Sequence, residues 1–401
     1  MFTPGELLGV GLTLAAVAAI AVFVSSTRMP LALKRIIYLG LAMRVFGAVA
    51  RYTVLFGYYG GVGDAVGYYY RGLAYAQRFT RFDFSPFYDS ALWFRGNWRG
   101  TSFMSFPSGI VLSLIGPSML GEFIAFSLLA FLGLVGFVVA FKRASPYASA
   151  VSYARWVWLF PSLWFWPSSV GKDALILMGL GLLVWGWFGP QGRKNWFLLF
   201  AGGFFVTAIR PQVAAVFFLS IVLAQWLSLF GRWTMKRVVQ GGLIAGLGTA
   251  GIVVAMSLSG IDALSPDSVQ GYLEEEAAGA VSDGSSTGRV SIGVTGVPIA
   301  ILNIIARPFP WEATNVMALA SAMEILLFWS LVWYRRKNVV MALRSWRTHP
   351  LLRIAIPFSL IYAASLGMVV FNLGIIARQR IFLFPFLFLL LEAVPARGHL
   401  Q

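Results

Sequence analysis

Residues 121–141 read GEFIAFSLLAFLGLVGFVVAF and are followed at once by Lys142 and Arg143. A run of that length, with one acid at its leading edge, suits a helix crossing about 30 Å of hydrocarbon at about 1.5 Å per residue. The basic pair behind it marks a cytoplasmic exit. Similar runs recur at roughly 6–25, 36–57, 149–166, 173–189, 195–209, 212–230, 239–258, 312–333, 353–371 and 381–394. Across its 401 residues the chain is 59% hydrophobic and 11% charged, with mean hydropathy +0.77, well outside the range of soluble domains. A membrane β-barrel would alternate apolar and polar residues over segments of about ten, and this chain does not. The expected fold is all-α: a polytopic membrane protein of about eleven transmembrane helices, forming a single integral membrane domain over residues 1–401.

The net charge of +16 does not point to nucleic acid, because its basic residues sit in short clusters between apolar runs. The clusters are Arg28/Lys34/Arg35, Lys142/Arg143/Arg155, Arg193/Lys194, Arg232/Lys236/Arg237 and Arg335 through Arg353. They can all face the cytoplasm only if two apolar stretches, 107–119 and 296–306, do not span. Both are short enough to lie at the interface or re-enter. The N-terminus then falls outside and the C-terminus inside, in a plasma or inner membrane. Met1–Glu6 lacks the basic start of a cleavable signal peptide. Without cysteine the chain has neither disulfides nor thiolate metal sites, and its two histidines, His349 and His399, fall on the cytoplasmic side.

Acids contribute little to orientation, so they test it. Of 15 Asp and Glu, Glu324 lies within a crossing and Glu392 near a cytoplasmic end, leaving 15 − 2 = 13 on or near the outer face. Chemistry that needs a carboxylate is therefore expected outside the cytoplasm. The outer segments of useful length are 58–106, 259–311 and 372–380. The second carries Asp262, Asp267, Glu274, Glu275, Glu276 and Asp283, and reads as a solvated loop or as a lid.

Charged groups inside the bilayer are costly. Arg44 and Glu324 fall at matched depths and are expected to form a buried pair, while Arg51, seven residues after Arg44, continues its helical face toward Asp64. Lys172, Arg210, Arg307, Arg378 and Arg380 lie at outer helix ends, with Gln212 and Glu312 beside them. Arg forks there match the oxygens of a phosphate. Gly63-Asp64-Ala65, with Tyr68, Tyr69 and Tyr70 behind it, opens the first outer loop; Asp64 reads as a catalytic base or an interfacial anchor. Trp156, Trp158, Trp164 and Trp166 read as interface anchors, and Trp93 and Trp98 as surfaces on which a sugar could stack.

The order and sidedness of these stretches resemble polytopic glycosyltransferases of the GT-C fold, which use polyprenyl-phosphate-linked sugars. Gly63-Asp64-Ala65 with its tyrosines resembles that family's acidic loop and amphipathic helix. Phe106-Pro107-Ser108-Gly109 through Ser118 resembles its Pro-led amphipathic segment, and Pro161–Ser169 with Asp173 its Ser/Pro-rich turn before an acid. Arg378-Gln379-Arg380 followed by Pro385 resembles its late Arg-led crossing. The chain departs in its extra crossing at 6–25 and in carrying a single Asp64 where the family has a paired acid.

The resemblance implies a transferase that moves a sugar to a glycan, lipid or protein acceptor in cell-envelope or exopolysaccharide synthesis. Asp64 would be the base, with Tyr68, Tyr69 and Arg51 in support, and Lys172, Arg210, Arg307, Arg378 and Arg380 would bind the donor phosphate. Asp173 would orient Lys172, cap its helix, or join Asp64 at a divalent cation such as Mg²⁺ or Mn²⁺. A polysaccharide polymerase using lipid-pyrophosphate substrates, and a transporter or flippase for a lipid-linked anion, are the alternatives.

Overall fold

The computed structural model describes residues 3–88, 100–229, 239, 241–242, 246, 248–253 and 294–394. The run at 239–258 is described only in part. Trp93, Trp98, the acids from Asp262 to Asp283, and His399 lie outside the described residues. Within them the chain is helical and contains no strand. Among the described residues five helices are long and apolar enough to cross a membrane: Pro4–Ser26, Leu31–Tyr58, Met119–Ala144, Val316–Tyr334 and Leu352–Val369. The bent pair Leu373–Phe382 and Phe384–Glu392, inclined at 57°, would make a sixth. Packing groups the chain into two compact units, Met1–Ala140 with Ala150–Arg210, and Phe141–Ser149 with Pro211–Gln401.

In the first unit, Leu31–Thr53 runs into a π-turn, Val54–Tyr58, and the chain then reverses through Gly60 and Gly61 at φ 60° and 77°. A side chain is strained at such angles, so the glycines set the exit from the span. The amphipathic helix Asp64–Phe79 follows and packs on Ser105–Ile115. A Cβ at Gly72 would strike Ser108, and one at Gly109 would strike Tyr75, so the two helices approach almost backbone to backbone. Ala76, Leu112 and Ile115 fill the seam, with Tyr69, Leu73 and Val111 around them. The same device joins other helices of this unit. Gly133 and Gly136 of Met119–Ala144 lie against Leu177, Met178 and Gly181 of Lys172–Trp187, and Gly179 against Gly202 and Val206 of Trp196–Ile209. Small residues at these crossings let helices pack closely where lipid offers no hydrophobic drive.

In the second unit, Leu352–Val369 is the hub. Phe217 of Pro211–Leu229 meets Phe358 at 5.9 Å, and Gly367 lies on the Ala300 backbone of Val297–Ala306. Phe386 of Phe384–Glu392 meets Phe358 at 4.4 Å.

Two segments expected not to span form helices of 11 residues, Ser105–Ile115, and 10 residues, Val297–Ala306. At about 15 Å each, they cover half a bilayer. The run at 149–166 differs from its reading as one helix. It breaks into Ala150–Leu159 and Pro161–Phe165, because Pro161 has no N–H to give and holds Phe160 extended at ψ 131°. The last run, 381–394, is likewise only Phe384–Glu392, with Pro385 in its first turn.

Candidate functional site

Asp64 is exposed on the first turn of Asp64–Phe79, where a carboxylate favours the helix dipole. One turn on, Tyr68 is buried, with the Arg71 guanidinium 5.4 Å over its ring. The face of the helix that meets Ser105–Ile115 takes it inside. Tyr70 is 65% exposed.

Beneath this helix lies a polar cluster that sequence reasoning passed over. Ser108 Oγ sits 2.5 Å from Glu122 Oε1 and 3.2 Å from the Tyr68 carbonyl, and Glu122 is wholly buried. Glu6 closes the cluster by accepting from the Met119 and Leu120 amides at 3.0 and 2.8 Å, so it caps the start of Met119–Ala144. The phenol of Tyr69 is pushed up to about 12, first by burial and then by the charges of Glu6 and Glu122. It stays protonated at neutral pH. Of these residues, Ser108 lay inside a quoted motif; Glu6 and Glu122 carried no signal beyond being acids at helix starts.

Lys172 and Arg210 flank one segment. Lys172 Nζ donates to Thr101 Oγ1 at 2.8 Å, and the Gly100 amide donates to the carbonyl of Ala208 at 2.8 Å, two residues before Arg210. Arg210 closes Trp196–Ile209 and Pro211 opens the next helix, the turn expected from Arg210-Pro211-Gln212; Gln212 is exposed. Asp173 is buried in the first turn of Lys172–Trp187, where its charge favours the helix start. Arg51 lies 5.2 Å over Phe165 and 5.0 Å over Trp166, so it faces the Ser/Pro-rich turn.

Arg307, Arg378 and Arg380 belong to the second unit, whereas Lys172 and Arg210 belong to the first. Arg307 Nε donates to Glu312 Oε2 at 3.0 Å and its Nη2 pairs with Oε1, while the Phe309 amide donates to Oε2 at 2.8 Å. Burial pushes the Glu312 carboxyl up, but the Arg307 and Phe309 hydrogen bonds and the Arg307 charge outweigh it, and the group titrates below the usual range. Arg380 is 2% exposed and donates through Nη2 to the Arg307 carbonyl. Gln379 accepts from the Tyr362 hydroxyl at 3.5 Å, and Arg378 ends the short helix Leu373–Gln379.

Arg44 and Glu324, expected as a buried pair, fall in different units. Arg44, wholly buried, donates through Nη1 to the Leu163 carbonyl at 2.7 Å and lies 5.5 Å over Phe131, all within the first unit. Glu324 lies in the second unit, where its charge acts on Arg380. Trp158 is also core rather than interface, packed against Phe131 at 5.3 Å. Among the described residues no group of three or more His, Asp or Glu side chains gathers in a way that could hold a metal ion. Set against known protein families, curated proteins and solved structures, the chain has no match.

Proposed function

We propose that this protein is a membrane glycosyltransferase that moves a sugar from a polyprenyl-phosphate donor to an acceptor hydroxyl outside the cytoplasm, with inversion. The observation that carries the reading is the position of Asp64. It is an exposed carboxylate at the start of an amphipathic helix, directly after the span Leu31–Tyr58, and that helix is held on the non-spanning Ser105–Ile115. The full arrangement is eleven crossings with the N-terminus outside, which puts Asp64 at the outer membrane surface.

In the reaction, the acceptor oxygen attacks the anomeric carbon and passes its proton to Asp64. The bond from that carbon to the phosphate oxygen breaks, and polyprenyl phosphate leaves with the electron pair. Lys172 and Arg210, in the unit that also holds Asp64, offset the charge that grows on the phosphate. No step is assigned to a divalent cation.

The test is release of polyprenyl phosphate from labelled polyprenyl-phosphate sugars by the purified protein. Asp64→Ala should lower the rate by about 10²–10⁴-fold, the usual contribution of a general base. Full activity in that variant, with loss in Arg378→Ala, would assign the polymerase reading instead. Transport without turnover would remove the enzyme reading altogether.

A further inference from the structure

Between Trp333 and Arg353 the chain carries Arg335, Arg336, Lys337, Arg344, Arg347 and Arg353 and no acid. This segment joins two membrane-length helices, Val316–Tyr334 and Leu352–Val369, through the short helix Arg336–Ser345. A helix of 10 residues is too short to span, so between two spans it belongs at a membrane surface.

The short helix has two distinct faces. Asn338 and Ala342, one turn apart, are buried; Asn338 Nδ2 donates to the Leu391 carbonyl at 2.8 Å, and Arg335 reaches Glu392 at 3.6 Å. These contacts fix the rotation of the helix against Phe384–Glu392. The opposite face presents Arg336, Val340, Leu343 and Arg344 at helical spacing, with Lys337 beside them and Arg347 in the turn that follows, all exposed. Trp333 and Tyr334 are 72% and 76% exposed at the junction, and Arg336 lies 5.0 Å over the Trp333 ring. Among the described residues no carboxylate pairs with Arg336, Lys337, Arg344 or Arg347.

We infer that this face binds the anionic phospholipid headgroups of the leaflet it lies on. Exposed apolar side chains between the cations, with aromatic residues at one end, are the pattern of an in-plane helix whose cations sit at phosphate level. Charge complementarity selects the occupant: four cations on a docked, fixed face require a polyanionic surface. The inference depends on the membrane placement of the two spans and not on the glycosyl-transfer reading.

The chain has no cysteine, so L343C carries a unique fluorophore on the exposed face. The labelled protein is reconstituted into phosphatidylcholine bilayers containing brominated phosphatidylglycerol or brominated phosphatidylcholine at equal fraction. Each surface cation favours an anionic lipid by about fivefold, so phosphatidylglycerol should quench more strongly. The preference should vanish in R336Q/K337Q/R344Q/R347Q and survive in R336K/R344K/R347K, which keeps the charge. Equal quenching by the two lipids in the native background would overturn the inference, as would a preference that persists in the glutamine variant. Loss of preference on adding inorganic phosphate would assign the face to free anions instead.

Discussion

Replacing Glu312 by alanine tests whether the Arg307 turn is a structural clamp. The Glu312 carboxylate receives Arg307 Nε at 3.0 Å, Arg307 Nη2, and the Phe309 amide at 2.8 Å. The variant leaves all three donors without that acceptor; Asn303 Oδ1, 3.5 Å from Arg307 Nη1, is a poor substitute. Charge-assisted hydrogen bonds contribute about 1.5–3 kcal/mol, and loss of a partner costs most where the group left behind is dry. The two side chains are 24% and 17% exposed, so solvent reaches the stranded guanidinium and the loss should be about 2 kcal/mol. For a unit of this size that lowers the midpoint of thermal unfolding by about 4–8 °C, read on the purified protein in detergent. A double-mutant cycle with Arg307→Ala should return about 1–2 kcal/mol of coupling. Strict additivity would refute the reasoning. The pH dependence has a definite sign. The Glu312 carboxyl is held below its ordinary 4.5, so its contribution is complete above that pH and is lost as pH falls through the lower folded-state value. Glu312→Gln adds a functional reading, since it keeps an acceptor for Phe309 but removes the charge that occupies Arg307. Tighter binding of a polyprenyl-phosphate donor in that variant would assign Arg307 to the donor site.

Gly181→Leu should be among the most destabilising single changes in the first unit. Its side chain would enter the Gly133 backbone, which has no flexible end to move, and overpacking of this kind costs about 1–3 kcal/mol. Gly11→Ala, which meets nothing within 4 Å, serves as the control and should hold or slightly raise the unfolding midpoint. A third test uses His349, whose imidazole is pushed down to about 4, first by burial and then by Arg353. Its neutral ring pairs Nε2 with Ser145 Oγ at 3.0 Å and accepts from the Leu352 amide at Nδ1, 3.4 Å away. The folded value lies below the ordinary 6.5, so this contribution is complete above 6.5 and is lost as pH falls through about 4. His349→Asn should flatten the melting midpoint over that window, which separates it from the Glu312 effect.

Helix placement was legible wherever an apolar run met no proline. Met119–Ala144 and Val316–Tyr334 match their runs closely, because backbone groups in a bilayer must be satisfied within the segment, and Leu352–Val369 does so while carrying Pro357 inside the helix. The misreadings share one cause. Hydropathy averages over a window, and Pro161 and Pro385 break helices inside windows that stay apolar. Side-chain roles were less legible than depth. Trp158 and Tyr68 belong to residue types enriched at interfaces, yet each is buried because a particular neighbour, Phe131 for one and Ser105–Ile115 for the other, closes over it.

The carboxylates sharpen the choice of Asp64. Sequence put most acids on one face, and a shared face alone cannot separate a catalytic acid from a structural one. The structure separates several by what each touches. Glu6 caps Met119–Ala144, Glu122 is buried against Ser108, Glu312 holds Arg307, and Glu392 reaches Arg335. Each of these would leave a helix end, a buried hydroxyl or a guanidinium without its partner if it moved to a substrate. Asp173 is buried at its helix start and out of reach of bulk solvent. Asp83, though exposed, accepts from the Ser85 amide at 3.0 Å and shapes a turn. Asp64 combines exposure with a helix start directly after a span; in the proposed reaction an acceptor hydroxyl would reach it from water while a lipid-borne sugar approaches from the bilayer. A base for transfer between those two phases needs access to both, and that requirement, more than acidity, selects Asp64.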